Sequence, residues 1–243
     1  MNNDEFDYGH AVNYSTNVEC IDCTESDCKT CPYIVTKDLN ETNNFDLFKS
    51  YMRAFAPEES EFYFLQILIR GKDGHKNAGG NNKNRLITYY TIRSIEELTR
   101  KENEIIGICK LLNARAYVHP TKRNFTAVAA KTLELFPTVF LSNPQGLKGI
   151  YSTACGQSYV STDKKYIIDL DGEDADREEE IIDFIIDNCE PFGRKKYVCT
   201  FPTVHGKHLI VRPFNVQKFG LQYPNIDVHK NNPTLLYYNP IKE

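Results

Sequence analysis

The chain has no tryptophan and only two methionines among its 243 residues. Its 12% aromatic content is therefore carried by Phe and Tyr alone. No apolar run approaches the roughly 20 residues that cross a bilayer, so no membrane partner is expected. The opening residues, Met1-Asn-Asn-Asp-Glu-Phe-Asp7, are acidic and polar and lack the apolar stretch of a signal peptide. The expected location is the cytoplasm. Positive charge is not in excess either: 29 Lys and Arg stand against 33 Asp and Glu, for a net charge of −4. The whole molecule is no polycation, so any nucleic-acid surface must be local. What remains, 41% hydrophobic and 26% charged residues, is ordinary for a soluble globular protein. The length fits one large domain, or a domain with an extension.

Cysteine is unevenly spread. Cys20, Cys23, Cys28 and Cys31 form two C-x2-C pairs, whereas Cys109, Cys155, Cys189 and Cys199 are scattered. Four clustered thiolates suit a tetrahedral structural Zn²⁺. Free or disulfide-prone cysteines and an iron–sulfur cluster are the alternatives, and the spacing does not match the bacterial ferredoxin run. Four cysteines leave no open ligand position, so the expected role is structural or a nucleic-acid contact. Cys109, Cys189 and Cys199 fall in helix and strand patterns and read as small buried hydrophobes.

Periodicity organises the rest. Phe45, Phe48, Met52 and Phe55 predict an amphipathic helix over 44–55, ended by Pro57. Strands are predicted over 61–70 and 86–92. Between them Arg70, Lys72, Lys76, Lys83 and Arg85 stand against Asp73 in a glycine-rich loop. That loop reads as a phosphate-backbone contact or a solvated connection. Ser94 and Glu97 have capping-box spacing and start a helix to about Leu112, with a break near Lys101. A strand over 114–118 precedes a helix over 123–140 that Pro137 should end or kink. Residues 141–164 read as a long connection. A strand over 165–171 and an acidic helix over 176–189 follow, with Glu178, Glu179 and Glu180 favoured by the helix dipole. A hairpin comes next, with strands 195–200 and 207–212, then a loop over 213–224 and strands 225–228 and 234–238. The expected fold class is α+β. A tail with the cysteine knuckle occupies 1–43, and one catalytic domain occupies 44–243.

Chemistry concentrates at Tyr166-Ile-Ile-Asp-Leu-Asp171. On a strand, Asp169 and Asp171 share a face. Two carboxylates that close repel unless something neutralises them. A hard divalent ion such as Mg²⁺ or Mn²⁺ does so, taking one or two carboxylates plus substrate phosphates. An acidic strand end facing water is the other reading. Residues 191–225 then hold six Lys or Arg and no acid, and Asp227 adds a third carboxylate. Basic groups facing a carboxylate-held metal are what a polyphosphate needs.

Three motifs carry a family resemblance. Ile167-Ile-Asp-Leu-Asp171 resembles motif I of the archaeo-eukaryotic primase superfamily, a hydrophobic run into D-h-D. Gly206-Lys-His208 resembles motif II, small-x-His, and Ile226-Asp227 resembles motif III. The trio occurs in family order, and the resemblance spans roughly residues 45–240. The short form is closer to phage or mobile-element members than to cellular primase subunits, which would place it in a host cytoplasm. The resemblance implies an RRM-like catalytic half, strand–helix–hairpin–strand, behind an N-terminal α/β unit. It implies a DNA primase or primase-polymerase with Mg²⁺ or Mn²⁺ on Asp169, Asp171 and Asp227. His208 would meet the triphosphate of the incoming nucleoside triphosphate. Lys207 and Arg212 are candidate phosphate clamps by charge and position, although Lys207 and His208 should face opposite ways on a strand. The partners implied are a single-stranded template and a replicative helicase. Two other readings stay open. One is a phosphodiesterase or nuclease using Asp169, Asp171, His205, His208, Asp227 and His229. The other is a non-catalytic relative that binds nucleic acid or a partner.

Overall fold

Among the described residues, two antiparallel sheets and six α-helices make an α+β fold. The computed structural model describes residues 41–71 and 84–240, all within the unit Asp38–Glu243. The calls on Cys20, Cys23, Cys28 and Cys31, and on Lys72, Asp73, Lys76 and Lys83, lie outside the described residues.

The first sheet is built on β2 (Glu61–Ile69), which pairs with β3 (Arg85–Ile92) and β4 (Arg115–Val118). Strand β10 (Thr234–Tyr238) joins the other side of β4, and the two-residue β1 (Thr42–Asn43) closes that edge. The short β5 (Arg123–Asn124) pairs with the start of β2. Every pairing is antiparallel, so the expected N-terminal α/β unit is an antiparallel sheet that also takes in the last strand. Helix α1 (Phe45–Ala54) buries Phe45, Phe48, Tyr51 and Met52 at helical spacing. Its rings reach both sheets: Phe48 lies edge-on to Tyr63 at 5.2 Å and 6.3 Å from Phe201 of the second sheet.

The second sheet holds β6 (Tyr166–Asp171), β7 (Tyr197–Pro202), β8 (Gly206–Val211) and β9 (Asp227–His229), in the order β7-β8-β6-β9. Helices α5 (Glu178–Asn188) and α6 (Val216–Gln222) connect them and pack on one face. There Ile168 and Leu170 meet Ile181, Ile185 and Phe219. The opposite face presents Ile167 and Ile210 to the core shared with the first sheet. Buried Asn44 ties the sheets, its amide donating to the carbonyls of Pro202 and Leu235, each at 2.8 Å. Buried Lys196 donates to the carbonyls of Ile185, Ile186 and Cys189, a cation on the C-terminal pole of α5.

Several local expectations are corrected. Helix α2 (Ile95–Leu112) runs without a break at Lys101, because Leu98, Ile105 and Cys109 hold one face in the core. Helix α3 (Phe125–Ser142) passes through Pro137. The proline deprives the Leu133 carbonyl of a donor, but Leu133 is exposed and water can serve. The connection over 141–164 contains α4 (Ile150–Gln157), whose buried Ile150, Ser152, Ala154 and Cys155 include one large apolar side chain, too little to signal a helix. The predicted loop over 213–224 contains α6, started by the Asn215 side chain on the Lys218 amide. The hairpin turn is shorter than expected, leaving only 203–205 between strands. Burial pushes the thiols of Cys109 and Cys199 up to about 12, consistent with packing roles.

Candidate functional site

Strand β6 lies inside the second sheet, so its residues have neighbours on both sides. Asp169 stands directly opposite His208 of β8 and directly opposite Asp227 of β9. Cross-strand partners share a face, with Cβ atoms about 4.5–5.5 Å apart. Asp171, two residues on, faces the same way. The apolar face of β6 thus ends after Ile167 and becomes polar at Asp169. Asp171 and Asp227 are exposed, and Asp169 is partly covered.

Asp169 is the hub. The His208 Nε2 lies 3.2 Å from its Oδ1, and the His229 Nε2 lies 4.0 Å from its Oδ2. The other ring nitrogen of His208, Nδ1, lies 2.9 Å from the Thr234 hydroxyl. With the hydroxyl donating to Nδ1, Nε2 carries the proton and points it at Asp169. That hydrogen bond holds the Asp169 carboxyl below the usual carboxylate range, and the nearby His229 and Arg70 act in the same direction. Arg70 follows β2 at the root of the basic loop.

The turn from β9 back to β10 carries the chain from the second sheet to the first, and a buried arginine holds it. Arg123 is fully buried. Its Nη2 donates to Asn231 Oδ1 at 2.9 Å and to His119 Nδ1 at 2.7 Å. Nε donates to the Cys155 carbonyl at 2.6 Å and Nη1 to the Thr121 carbonyl at 2.8 Å. The Asn231 amide in turn donates to the Gly156 carbonyl at 2.8 Å. Asn231 lies between His229 and Thr234, so this anchor bears on both.

His119 accepts from Arg123 and stacks on Phe64, with ring centroids 5.6 Å apart. Burial, then the Arg123 charge, holds its imidazole well below the usual histidine range. The sign of the linkage follows. The unfolded chain takes up a proton at this histidine below about pH 6.5 while the folded chain does not. Stability from the neutral ring is full above that pH and falls as pH drops, by up to about 1.4 kcal/mol per unit. In His119→Asn, the side-chain oxygen stands near the Nδ1 position and has no proton to gain. We expect chemical denaturation at pH 7.5, 6 and 5 to show a flatter stability profile for this variant.

Gly206, two residues before His208, sits opposite Asp171. A Cβ there would lie 1.9 Å from the Leu170 carbonyl oxygen and 2.9 Å from the Asp171 Cα. Backbone, not a flexible side chain, blocks the space. Gly206→Ala is therefore expected to push β8 off β6 at the carboxylate end, costing about 1–3 kcal/mol. Thermal melts check the stability, and loss of the His208–Asp169 contact checks the displacement.

Donor chemistry at the site fits a hard cation: three carboxylates on one face, two of them in solvent where they can rotate. Among the described residues, no group of three or more His, Cys, Asp or Glu is already gathered around one point. The Asp169 oxygens face the two histidines, so a cation would have to draw the carboxylates together. Lys207 is not brought to this face. It lies opposite Leu170, pointing to the helix side, where Nζ meets Glu178 Oε2 at 2.6 Å. Arg212 lies beyond the far end of β8, exposed, with its guanidinium 5.9 Å from the centre of the Phe55 ring. Four residues of strand, about 13 Å, separate it from His208. His205 is exposed in the β7–β8 turn, and its carbonyl accepts from the Gly172 amide just past Asp171.

His229 is closer to the hub than its sequence position alone implied, though its i+2 spacing from Asp227 was a usable signal. Thr234 and Asn231 carried none, because their roles arise where the two sheets meet. The chain matches no protein-family model, no curated protein and no solved structure.

Proposed function

We propose that the chain is a template-dependent nucleotidyltransferase of the primase or primase-polymerase type. The observation that carries this reading is the direct register of Asp169 with His208 on one side and Asp227 on the other. The strand order, with β6 inside between β8 and β9 and both helices on one face, suits an RRM-like catalytic half. Asp169, Asp171 and Asp227 would hold one or two Mg²⁺ or Mn²⁺ ions. Such ions, when bound, neutralise phosphate oxygens and activate an attacking hydroxyl. The chain's own residues orient the nucleotide. His208, fixed by Thr234, offers an N–H beside Asp169 where a triphosphate oxygen needs a donor. Arg70 adds positive charge from the first sheet. A single-stranded template is the polymeric partner, and Cys20, Cys23, Cys28 and Cys31 would hold one structural Zn²⁺.

Two imidazoles around Asp169 favour one second reading, a phosphodiesterase or nuclease with mixed histidine and carboxylate ligands. One assay separates the readings. The purified full chain is mixed with single-stranded DNA, labelled NTPs or dNTPs, and Mg²⁺ or Mn²⁺. Template-dependent extension is the expected result. Degradation of the template would favour the second reading. Binding without turnover would leave a nucleic-acid-binding protein.

A further inference from the structure

Helix α3 is the anomaly of the described surface. It has 18 residues, yet only Val128 is buried. Leu133, Phe136, Phe140 and Leu141 are 74%, 47%, 51% and 81% exposed. Phe136 and Phe140 stack on each other in solvent at 5.7 Å. Isolated exposed apolar residues need no explanation, but a contiguous patch on one element does.

The stripe has a period. Ala129, Leu133, Phe136 and Phe140 are spaced four, three and four residues, the seam of a helix that packs on another helix. The flanking positions Ala130, Thr132, Pro137 and Val139 carry no charge. The charged pair of the helix, Lys131 and Glu134, is closed on itself at 2.6 Å. Without flanking charge, two copies can meet along this seam with no like charges opposed. Leu133, Phe136 and Phe140 on the seam, with Leu141 beside it, expose roughly 500 Å² per copy. Two copies bring roughly 1,000 Å², the lower limit for a specific interface.

By length and composition α3 is also the one helix among the described residues that could cross a membrane. Its other side argues against that use. Phe125, Val128 and Leu135 pack with Phe62, Phe64, Ala154 and Cys155 of the body, and α4 lies alongside. Crossing a bilayer would strip that contact and bury the Lys131–Glu134 pair in hydrocarbon.

We propose that α3 is a self-association surface, and that its occupant is the α3 of a second copy of this chain. The test uses the full chain. Sedimentation at tens of micromolar is expected to show a dimer, and Leu133→Glu with Phe140→Glu a monomer that still melts cooperatively, at a temperature no longer dependent on protein concentration. A photo-reactive benzoylphenylalanine in place of Phe136 is expected to cross-link to an α3 peptide of another copy. A monomeric wild type, or a dimer that survives the double substitution, would overturn the proposal. So would a cross-link to residues 1–40, which would mean that the chain covers its own helix. Flotation with phosphatidylcholine vesicles, lost in the double variant, would assign the face to membrane instead.

Discussion

Asp169→Ala is expected to reduce template-dependent nucleotide incorporation by at least about 10²–10³-fold, with the fold intact. The residue sits where three strands converge, and its two oxygens engage His208 and His229. Removing it takes away the central carboxylate of the face and releases both imidazoles. The side chain is 30% exposed, so no large cavity opens. Asp169→Asn is the sharper variant, because it keeps the shape and the acceptor for His208 but loses the charge. If Asn supports incorporation at the wild-type rate, charge is not required and the metal reading fails. Equal activity in wild type and Asp171→Ala would count against it equally. Because His208 holds the Asp169 carboxyl below the usual range, the anion persists into mild acid. Its pairing contributes stability above the ordinary carboxylate value, and that contribution is lost as pH falls through the lower folded value. Single-turnover incorporation beside a thermal melt separates a chemical loss from an unfolded variant.

Arg123→Ala is expected to cost about 3–5 kcal/mol, the largest stability effect of any single substitution considered. The guanidinium is fully buried and gives hydrogen bonds to two carbonyls, His119 and Asn231. Burial lowers its pKa to about 10, which still leaves it protonated at neutral pH. Truncation strands three buried acceptors and the half-buried Asn231 oxygen, and it leaves a void, each costly by itself. For a domain of this size the melting temperature should fall by roughly 10 °C. Arg123→Lys keeps the charge but not the planar fork, so it should rescue only part of the loss. A change under about 1 kcal/mol in Arg123→Ala would mean that the anchor is replaceable. Because Asn231 belongs to the turn between His229 and Thr234, the variant should also disturb the Asp169 hub.

Much of this was legible from patterns. The helical spacing of Phe45, Phe48 and Met52 marked α1, which buries one face, and the short β-branched apolar run into Asp169 marked β6, which is covered on both. The shared face of Asp169 and Asp171 follows from the two-residue period of a strand. Helices α4 and α6 were missed because they are short and bury few large residues. The hairpin turn was read too long because Phe201, counted in the turn, is core. Lys207 and Arg212 were grouped by charge, but strand alternation and strand length put them elsewhere.

The sequence by itself determined most of the larger elements, the chain order of Asp169, Asp171, His208 and Asp227, and the face that each carboxylate takes along its own strand. These are local properties, set by periodicity and backbone geometry. Tertiary structure decided which strands are neighbours, and therefore that Asp169 lies between His208 and Asp227 rather than apart from them. It also decided that β10 crosses to the first sheet, which gives His208 its Thr234 partner and gives Arg123 a turn to hold. Residues far apart in the chain meet only because burying two apolar sheet faces in one core outweighs the entropy of closing the loops between them.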